Sequence, residues 1–423
     1  MHDLKHICSP PRNKTRQGLI LFFLLALFLI PLALLLIREG ASAYGSWREQ
    51  SAIAKAAVHP HSSAELFSMA SKLLPAAQQR GNGLTATTPD GTVLHYSIIP
   101  GLQERIQRYL ESYHVPYGIV VALEPASGRI LAIAGHSSLM PDWPREAAYQ
   151  LYPMASLFKM VTAASALENG KITPNTVMAF RGRPVSEAPS GWDPSPRGRN
   201  NQMDVSEAIC KSCNPVYGRI ASDLVGSAGL KATLTRFGFN TPLLPGLPVR
   251  ISQAPTPTTE RELRLLGAGL KHSLQVSPLH AAMITASIAN NGVMMTPRLV
   301  DRISRGNRDQ TLPPSREIRR VLAPQVADNL THMLTGTVTK GTSRRAFRTS
   351  QGRQLLANVT VAAKTGSIDG NNPKGHYSWF AAFAPAERPK IALVALVING
   401  DRWRIKASQV GEQALDAFFK ADR

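Results

Sequence analysis

The longest apolar stretch of the chain runs from Gly18 to Ile37, where 20 residues follow one another without a charged side chain. A helix of that length just crosses a hydrocarbon core of about 30 Å. Basic residues precede the stretch, so the positive-inside rule leaves the N-terminus in the cytoplasm. The pattern predicts a cytoplasmic tail over 1–17, a transmembrane anchor over 18–37 and an extracytoplasmic remainder. A cleavable signal peptide is the alternative, because Ala41-Ser42-Ala43 resembles a cleavage site.

After the predicted anchor, hydrophobic periodicity is weak and then sharpens. Residues 38–91 are short of strand patterns and contain one helical pattern around Ser63–Gln79. We expect a short stalk or collar there. From residue 92 onward the pattern is clearer, and apolar residues recur at helical spacing between Leu102 and Tyr113, which predicts an amphipathic helix.

Strand patterns lie at both ends of the remaining sequence, residues 92–423, which we expect to form one domain. The predicted strands are Gly118–Leu123, Arg129–Ala134, Val359–Thr365, Tyr377–Ala384 and Ile391–Ile398. Between them, residues 171–272 and 277–337 are predicted to be mainly helical. This order predicts an α+β fold in which one antiparallel sheet is assembled from both ends, covered by helices, and carries an inserted all-helical lobe.

Composition limits the class of protein and its partners. With 43% hydrophobic and 18% charged residues, the chain has enough apolar material for a large core, which excludes a disordered polymer. Lys and Arg number 48 against 28 acidic residues, a formal net charge of +20. That excess suits an anionic partner, but the chain carries no nucleic-acid-binding signature. Six arginines between residues 302 and 320 are interpreted as a solvated face, with a contact to anionic lipid or wall polymer as the alternative.

Two cysteines form a C-x-x-C pair, Cys210 and Cys213, on the side of the membrane where a disulfide is permitted. Spacing alone leaves a structural disulfide and two packed thiols equally open. A zinc site would need two further ligands, and none stands nearby with suitable spacing. The sequence therefore predicts no metal centre.

Three other side chains each allow two structural interpretations. Trp192 lies in a Pro/Arg-rich stretch, residues 181–199, and either roofs a substrate channel or pins that loop to the helical lobe. His376 and Asp369 are interpreted as solvated loop residues, although they can also border a cleft.

A serine and a lysine at helical spacing form the first chemical pattern, Ser156-Leu157-Phe158-Lys159. At positions i and i+3 their side chains share one face of a helix. The surrounding helix is apolar, and desolvation disfavours an ammonium, so Lys159 can act as a neutral base toward Ser156. Taken alone, the pattern favours the alternative, a serine at a helix start with a snorkelling lysine.

Two further patterns change this assessment, Ser212-Cys213-Asn214 and Lys364-Thr365-Gly366. In the order S-x-x-K, S-x-N and K-T-G, the set resembles the penicillin-recognising serine transferases and hydrolases, and in particular the class B-type transpeptidase domain of penicillin-binding proteins. The resemblance covers roughly residues 92–423. Its further landmarks are Leu94–Gln103, Val120–Ala134, Phe237-Gly238-Phe239, Ser277-Pro278-Leu279, Gly341-Thr342-Ser343, Ser378-Trp379-Phe380 and Ala384-Pro385.

The resemblance implies a β-lactamase/transpeptidase-like fold with a five-stranded sheet, and it implies catalytic roles for five residues, Ser156, Lys159, Ser212, Asn214 and Lys364. Ser156 matches the nucleophile that attacks a D-Ala-D-Ala carbonyl and forms an acyl-enzyme, and Lys159 matches its base. Ser212 matches the residue that relays a proton to or from the leaving amine. Asn214 matches the residue that binds the donor's amide and contacts Lys159.

The same resemblance implies a set of binding residues. Lys364 provides a positive charge for a terminal carboxylate, and Thr365 donates a hydrogen bond to it. Gly366 lets a peptide or β-lactam approach the strand and pair with it. The backbone N–H groups of Ser156 and Ser367 are expected to form the oxyanion hole. Ser367 replaces a threonine that is frequent at this position. No cofactor is implied.

The resemblance leaves several activities to choose among. We expect a D,D-transpeptidase that cross-links peptidoglycan stem peptides and is acylated by β-lactams, with a D,D-carboxypeptidase as the alternative. A β-lactamase is disfavoured by the predicted anchor, and Asn214 argues against class D enzymes, which carry S-x-V. A non-catalytic β-lactam sensor is disfavoured because only one span is predicted.

The predicted stalk bears on partners. Residues 38–91 are too few for the pedestal of class B proteins or the glycosyltransferase domain of class A proteins. We therefore expect that this chain does not polymerise glycan and that it does not dock through a pedestal. We expect any membrane glycosyltransferase partner to bind the span, residues 18–37, or the helical lobe. The expected location is the cytoplasmic (inner) membrane, single-pass, with the catalytic domain on the periplasmic side.

Overall fold

The structure, a computed structural model, describes residues 36–41, 44–45 and 62–421. The strands are β1 (Gln78–Arg80), β2 (Gly83–Thr87), β3 (Val93–Tyr96), β4 (Tyr117–Leu123), β5 (Ile130–His136), β6 (Tyr152–Pro153), β7 (Val177–Phe180), β8 (Asn201–Asp204), β9 (Gln275–Val276), β10 (Val293–Met295), β11 (Val300–Arg305), β12 (Arg308–Thr311), β13 (Glu317–Arg320), β14 (Ala362–Asn371), β15 (Lys374–Ala384) and β16 (Ile391–Asn399). The helices are α1 (Ser63–Leu73), α2 (Pro100–Ser112), α3 (Pro144–Ala147), α4 (Lys159–Glu168), α5 (Val205–Cys210), α6 (Asn214–Arg219), α7 (Gly226–Phe237), α8 (Glu260–Ala268), α9 (Pro278–Ala289), α10 (Pro324–Thr339) and α11 (Ala407–Ala421).

A five-stranded antiparallel sheet forms the centre, with strand order β14-β15-β16-β4-β5. It joins strands from both ends of the sequence, as the hydrophobic pattern predicts. Alternate residues of β16, such as Leu393 and Val397, lie in one apolar core with α2 and α11, while α9 covers the other face of the sheet. Burial on both faces explains why β16 reads as a continuous apolar run.

A second antiparallel sheet differs from the sequence prediction. Its order is β1-β2-β3-β11-β12, so it combines residues 78–96 with residues 300–311. The stalk expected over 38–91 therefore does not hold for residues 62–91, because in the described part of the chain the compact unit begins before residue 92. The helical prediction for 277–337 is likewise wrong over residues 293–320. These strands are short and many of their side chains are polar, so little local periodicity marks them. The two parts of the sheet meet through β3 and β11, which lie some two hundred residues apart in the sequence.

The lobe inserted between β5 and β14 contains α4 to α8 and a six-residue π-helical turn, Ile220–Val225. It also contains a two-stranded ribbon of β7 and β8, so the lobe is mainly rather than wholly helical. The Pro/Arg-rich stretch, residues 181–199, is the connection between β7 and β8.

The predicted anchor, residues 18–37, lies outside the described residues except for its last two positions. None of the helices in the described ranges combines the length and apolar character that crossing a membrane requires.

Candidate active site

Ser156 lies in a tight turn between β6 and α4. The turn is a 3-10 segment, Ala155–Phe158, that leads directly into the helix. Ala155 has a positive φ of 53°, which is uncommon for a residue with a side chain. Trp379 holds the preceding segment, because its Nε1 donates to the Pro153 carbonyl oxygen over 2.8 Å. A strained backbone held by a buried anchor is typical of residues with a chemical task.

Lys159 is fully buried, and its Nζ has three oxygen neighbours. Nζ lies 2.8 Å from Ser156 Oγ, 2.8 Å from Asn214 Oδ1 and 2.6 Å from the Ala268 carbonyl oxygen. The amide and carbonyl oxygens can only accept hydrogen bonds. A neutral amine has two N–H bonds for those two acceptors and one lone pair for the hydroxyl of Ser156. The three contacts can thus be satisfied by an uncharged lysine whose lone pair faces the serine proton.

Electrostatics favour the same state of this lysine. Burial lowers the pKa of Lys159 well below its ordinary value, and the positive charge of Lys364 lowers it further. Both effects act in the same direction because an ammonium loses its hydration and meets a like charge. Both effects favour the neutral amine, which is the form of lysine that can accept a proton.

Ser212 and Asn214 reach the same cluster from the turn between α5 and α6. Ser212 has a positive φ of 56°, so it is the second residue of the site, after Ala155, with a strained backbone. The Asn214 Oδ1 faces Lys159, and its Nδ2 donates to the Ser186 carbonyl oxygen over 3.1 Å. This second bond fixes which end of the amide faces the lysine.

Lys364 is the second fully buried lysine of the site. Its Nζ donates to Ser212 Oγ over 3.0 Å and to the Thr365 carbonyl oxygen over 2.6 Å. Burial lowers the pKa of Lys364 to about 7. A carboxylate bound beside it would push that pKa back up, so an anionic ligand and the lysine charge stabilise each other.

β14 is an edge strand of the central sheet and forms one wall of a cleft of about 340 Å³. A Cβ added to Gly366 would lie 3.2 Å from the Ala155 Cβ and 3.4 Å from the Leu157 N, so the glycine lets the turn of Ser156 approach the strand. Thr365 and the exposed Ser367 also line the cleft. The structure thus brings all eight sequence-predicted site residues to one place.

Several residues of the cleft were not predicted as site residues. These are Val185, Glu187, Lys211, Leu270, Thr342, Ser378, Trp379, Lys406 and Ser408. Thr342 Oγ1 lies 2.5 Å from Thr365 Oγ1, and its backbone N–H donates to the Cys210 carbonyl oxygen over 3.1 Å. Thr342, Ser378 and Trp379 could have been found, because all three belong to landmarks of the resemblance. The others carry no sequence signal.

The Pro/Arg-rich loop is pinned to the lobe by Trp192, which decides between the two readings of that residue. Its ring is fully buried, and a Cβ added to Gly218 would lie 2.2 Å from it. Its Nε1 donates to Ser186 Oγ over 3.2 Å. Because Ser186 also orients Asn214, this anchor connects the loop to the catalytic cluster.

We expect Trp192→Ala to lower the free energy of unfolding by about 3 kcal/mol, since it leaves a large cavity, and to slow acylation because Ser186 loses its support. Denaturant unfolding and the rate of labelling by a fluorescent penicillin measure the two effects. Trp192→Phe, which keeps most of the ring volume, should lose less of both. An unchanged unfolding midpoint in Trp192→Ala would contradict the anchoring role.

Cys210 and Cys213 are separate, buried thiols, so the disulfide alternative does not hold. Cys210 Sγ donates to the Met333 carbonyl oxygen over 3.1 Å and packs closely against Gly336. Burial raises the pKa of Cys210, and it raises the pKa of Cys213 to about 11. Both groups therefore stay protonated and unreactive in the folded chain.

We predict three reactive thiols per chain when the protein is denatured without reductant, since the sequence has three cysteines. A Cys210–Cys213 bridge would leave one. The folded protein should react slowly at the two buried positions, and thiol titration before and after denaturation measures both numbers.

The remaining candidate residues lie apart from the cluster. His376 and Asp369 pair with each other near the tip of the β14–β15 hairpin, and the His376 ring stacks on Trp403 with centroids 5.7 Å apart. Arg302 and Arg305, two of the six arginines, pair with acidic side chains on the second sheet. In the described part of the chain, no group of His, Cys, Asp and Glu side chains is arranged to hold a metal ion.

Comparison with known proteins agrees with this geometry. The family model described as penicillin binding protein transpeptidase domain matches residues 118–419. The peptidoglycan D,D-transpeptidase PbpA of Mycolicibacterium smegmatis is 29% identical over 316 residues, which cover 67% of this chain and 62% of that protein. PbpA of Mycobacterium tuberculosis is 28% identical over 381 residues, which cover 80% of this chain and 74% of that protein. The chain thus spans less than two thirds of the M. smegmatis relative.

Solved structures give the same picture. Penicillin-binding protein A from M. tuberculosis, in a ceftriaxone acyl-enzyme complex, aligns with a TM-score of 0.64 and 26% identity over 77% of this chain and 80% of that one. The D,D-transpeptidase domain of a peptidoglycan glycosyltransferase from Eggerthella lenta aligns with a TM-score of 0.67 and 23% identity over 84% and 91% of the two chains. At that identity, the second likeness supports the fold alone.

Proposed function

The chain belongs to the penicillin-binding protein transpeptidase family, and from this premise we propose that it is a serine D,D-transpeptidase that cross-links peptidoglycan stem peptides and is acylated by β-lactams. The observation that carries the proposal is the buried Lys159, whose Nζ has two oxygen acceptors and the hydroxyl of Ser156 within 2.8 Å. The pairing of a nucleophile with an uncharged base is what acyl transfer requires.

In the first half-reaction, Ser156 Oγ attacks the carbonyl carbon of the donor's penultimate D-Ala, and Lys159 takes the hydroxyl proton. The peptide C–N bond then breaks. Its nitrogen needs a proton to leave as free D-Ala, and Ser212, which accepts a hydrogen bond from Lys364, relays to it the proton that Lys159 took. An ester on Ser156 remains. A β-lactam follows the same step, except that the amine stays attached through the opened ring.

The donor is bound along the edge of β14. Lys364 and Thr365 meet its terminal carboxylate, and the amide of Asn214 meets its backbone. Gly366 leaves room for the peptide to lie beside the strand as an added strand. The backbone N–H groups of Ser156 and Ser367 stabilise the oxyanion. Because only the backbone acts in this role, it does not matter that position 367 carries a serine where a threonine is frequent.

In the second half-reaction, the amine of another stem peptide attacks the ester and forms the cross-link. Water as the attacking group would make the enzyme a D,D-carboxypeptidase. A synthetic donor pentapeptide and an amine-bearing acceptor separate the two activities. We expect a cross-linked dimer and one D-Ala per dimer by mass spectrometry. D-Ala and tetrapeptide without dimer, at saturating acceptor, would contradict transpeptidation and favour the carboxypeptidase.

The anchor is part of the proposal and is supported by sequence alone. Residues 18–37 would hold the chain in the cytoplasmic membrane, with residues 62–421 on the outer side, and a membrane glycosyltransferase partner would contact the span or the lobe. Replacing residues 18–37 by an unrelated span should lose any co-purified polymerase. Unchanged recovery would rule out a contact through the span.

A further inference from the structure

The second substrate of the proposed reaction is an amine, which is protonated at neutral pH, with an ordinary pKa of about 10 for an alkyl amine such as lysine. The inference that follows rests on the proposed function and concerns where this cation binds. The charged side chains that line the cleft in the described part of the chain include one carboxylate, Glu187, and the lysines Lys211 and Lys406.

The lysines of the cleft already have partners. Lys211 forms an ion pair with Glu207 at 2.5 Å, and Lys406 lies over the Trp403 ring, 5.8 Å from its centroid. Lys364 donates to Ser212 and to the Thr365 carbonyl oxygen. Glu187, by contrast, is exposed and makes no hydrogen bond or ion pair with any residue in the described ranges. Its carboxylate is therefore available to a ligand.

The backbone that carries Glu187 is fixed on both sides. The carbonyl oxygens of Pro184 and Ser186 accept hydrogen bonds from the Asn214 N–H, over 2.7 Å, and from its side-chain amide, over 3.1 Å. Beyond Glu187, the buried Trp192 and the Arg264–Asp193 pair hold the loop to the lobe. The negative charge of Glu187 acts on Lys159, where it opposes the larger effects of burial and Lys364. The backbone at Glu187 is thus held in place, and its carboxylate lies on the wall of the cleft that contains Ser156.

We propose that Glu187 forms the binding site for the ammonium group of the acceptor stem peptide. Glu187 lies on the wall of the cleft that the helical lobe forms, and there it binds the ammonium group. Lys364 binds the terminal carboxylate of the donor at the other wall, which β14 forms. An ammonium at this place releases one proton to solvent. The free amine then forms a C–N bond with the acyl carbon while the ester bond to Ser156 Oγ breaks, and its second proton returns to Ser156 Oγ through Lys159.

Because a carboxylate stabilises the ammonium rather than the nucleophilic amine, Glu187 should govern how much acceptor is bound and not the maximal rate. Charge-assisted contacts of this kind change binding by about tenfold. The expected effect is therefore a higher acceptor KM with little change of kcat.

The experiment lets two nucleophiles compete for one acyl-enzyme formed by the full chain from a D-alanyl thioester donor. One is a stem peptide with a free side-chain amine, and the other is hydroxylamine, which is uncharged at neutral pH. The ratio of the two products does not depend on the rate of acylation. We expect Glu187→Gln to lower the ratio of peptide product to hydroxamate about tenfold, and Glu187→Asp to lower it less. Glu104→Gln, which removes a surface carboxylate of α2, should leave it unchanged.

The outcomes separate the inference from the proposed function. An equal ratio in wild type and Glu187→Gln overturns the role of Glu187 and leaves the transpeptidase intact. Saturation kinetics with the peptide acceptor give kcat and KM separately, and a tenfold fall in kcat at unchanged acceptor KM also overturns it, since that would place the residue in catalysis rather than binding. If the wild type forms no acyl-enzyme with donor or penicillin, the proposed function itself fails, and the inference fails with it.

Discussion

Ser156→Ala is expected to leave no detectable acyl-enzyme and to reduce release of D-Ala from a donor peptide to the uncatalysed background. Among the described residues, the hydroxyl of Ser156 is the one group at hydrogen-bond distance from the Lys159 amine that can become a nucleophile. An alanine keeps the strained turn and removes only that atom. Labelling by a fluorescent penicillin and chromatography of released D-Ala measure the two quantities.

Ser367→Ala is the matched control, because it also removes a serine hydroxyl from the cleft. Since the proposed role of Ser367 is carried by its backbone N–H, we expect acylation to stay within about tenfold of the wild type, well below the cost of losing an oxyanion-hole donor. If Ser156→Ala still formed an adduct, or if the two variants lost equal activity, another nucleophile would have to be sought.

Lys159→Met is expected to slow acylation about 10³-fold, the usual contribution of a positioned general base. Methionine is unbranched and apolar, so it fills the buried space without an amine. Asn214 Oδ1 and the Ala268 carbonyl oxygen lose their donor, but the nucleophile itself remains. Time courses of penicillin labelling at several drug concentrations give the acylation rate.

Lys159→Arg tests whether the neutral state of the lysine matters. A guanidinium cannot lose its proton in a protein, so it can donate to the same oxygens but cannot act as a base. We expect this variant to be as slow as Lys159→Met, with folding checked by thermal unfolding. Acylation within tenfold of the wild type in either variant would contradict the assignment of Lys159 as the base.

The sequence predicts the parts of the fold and site whose signals are local. The run of β16 is apolar because both its faces are buried, and the spacing of Ser156 and Lys159 follows from one helical turn. The second sheet was missed because β3 pairs with β11 across some two hundred residues and both strands are half polar.

The sequence predicts which residues form the site better than it predicts the contacts that set their chemistry. Burial of Lys159 follows from the apolar helix, but the Ala268 carbonyl that takes one of its N–H bonds belongs to the backbone and has no side-chain signal. The place of Glu187 depends on the anchoring of Trp192 against Gly218, a contact between distant segments. Such features need the folded chain, because they arise from tertiary packing rather than from local pattern.

The most direct test of the account is to locate the adduct of penicillin on the full wild-type chain. Intact mass over time, followed by proteolysis and fragment sequencing, reports how much drug is bound, for how long and at which residue. We predict one penicilloyl group per chain, on Ser156, that persists for many minutes after free drug is removed. An adduct on another residue, rapid loss with drug turnover, or no adduct would contradict a transpeptidase that works through a Ser156 acyl-enzyme.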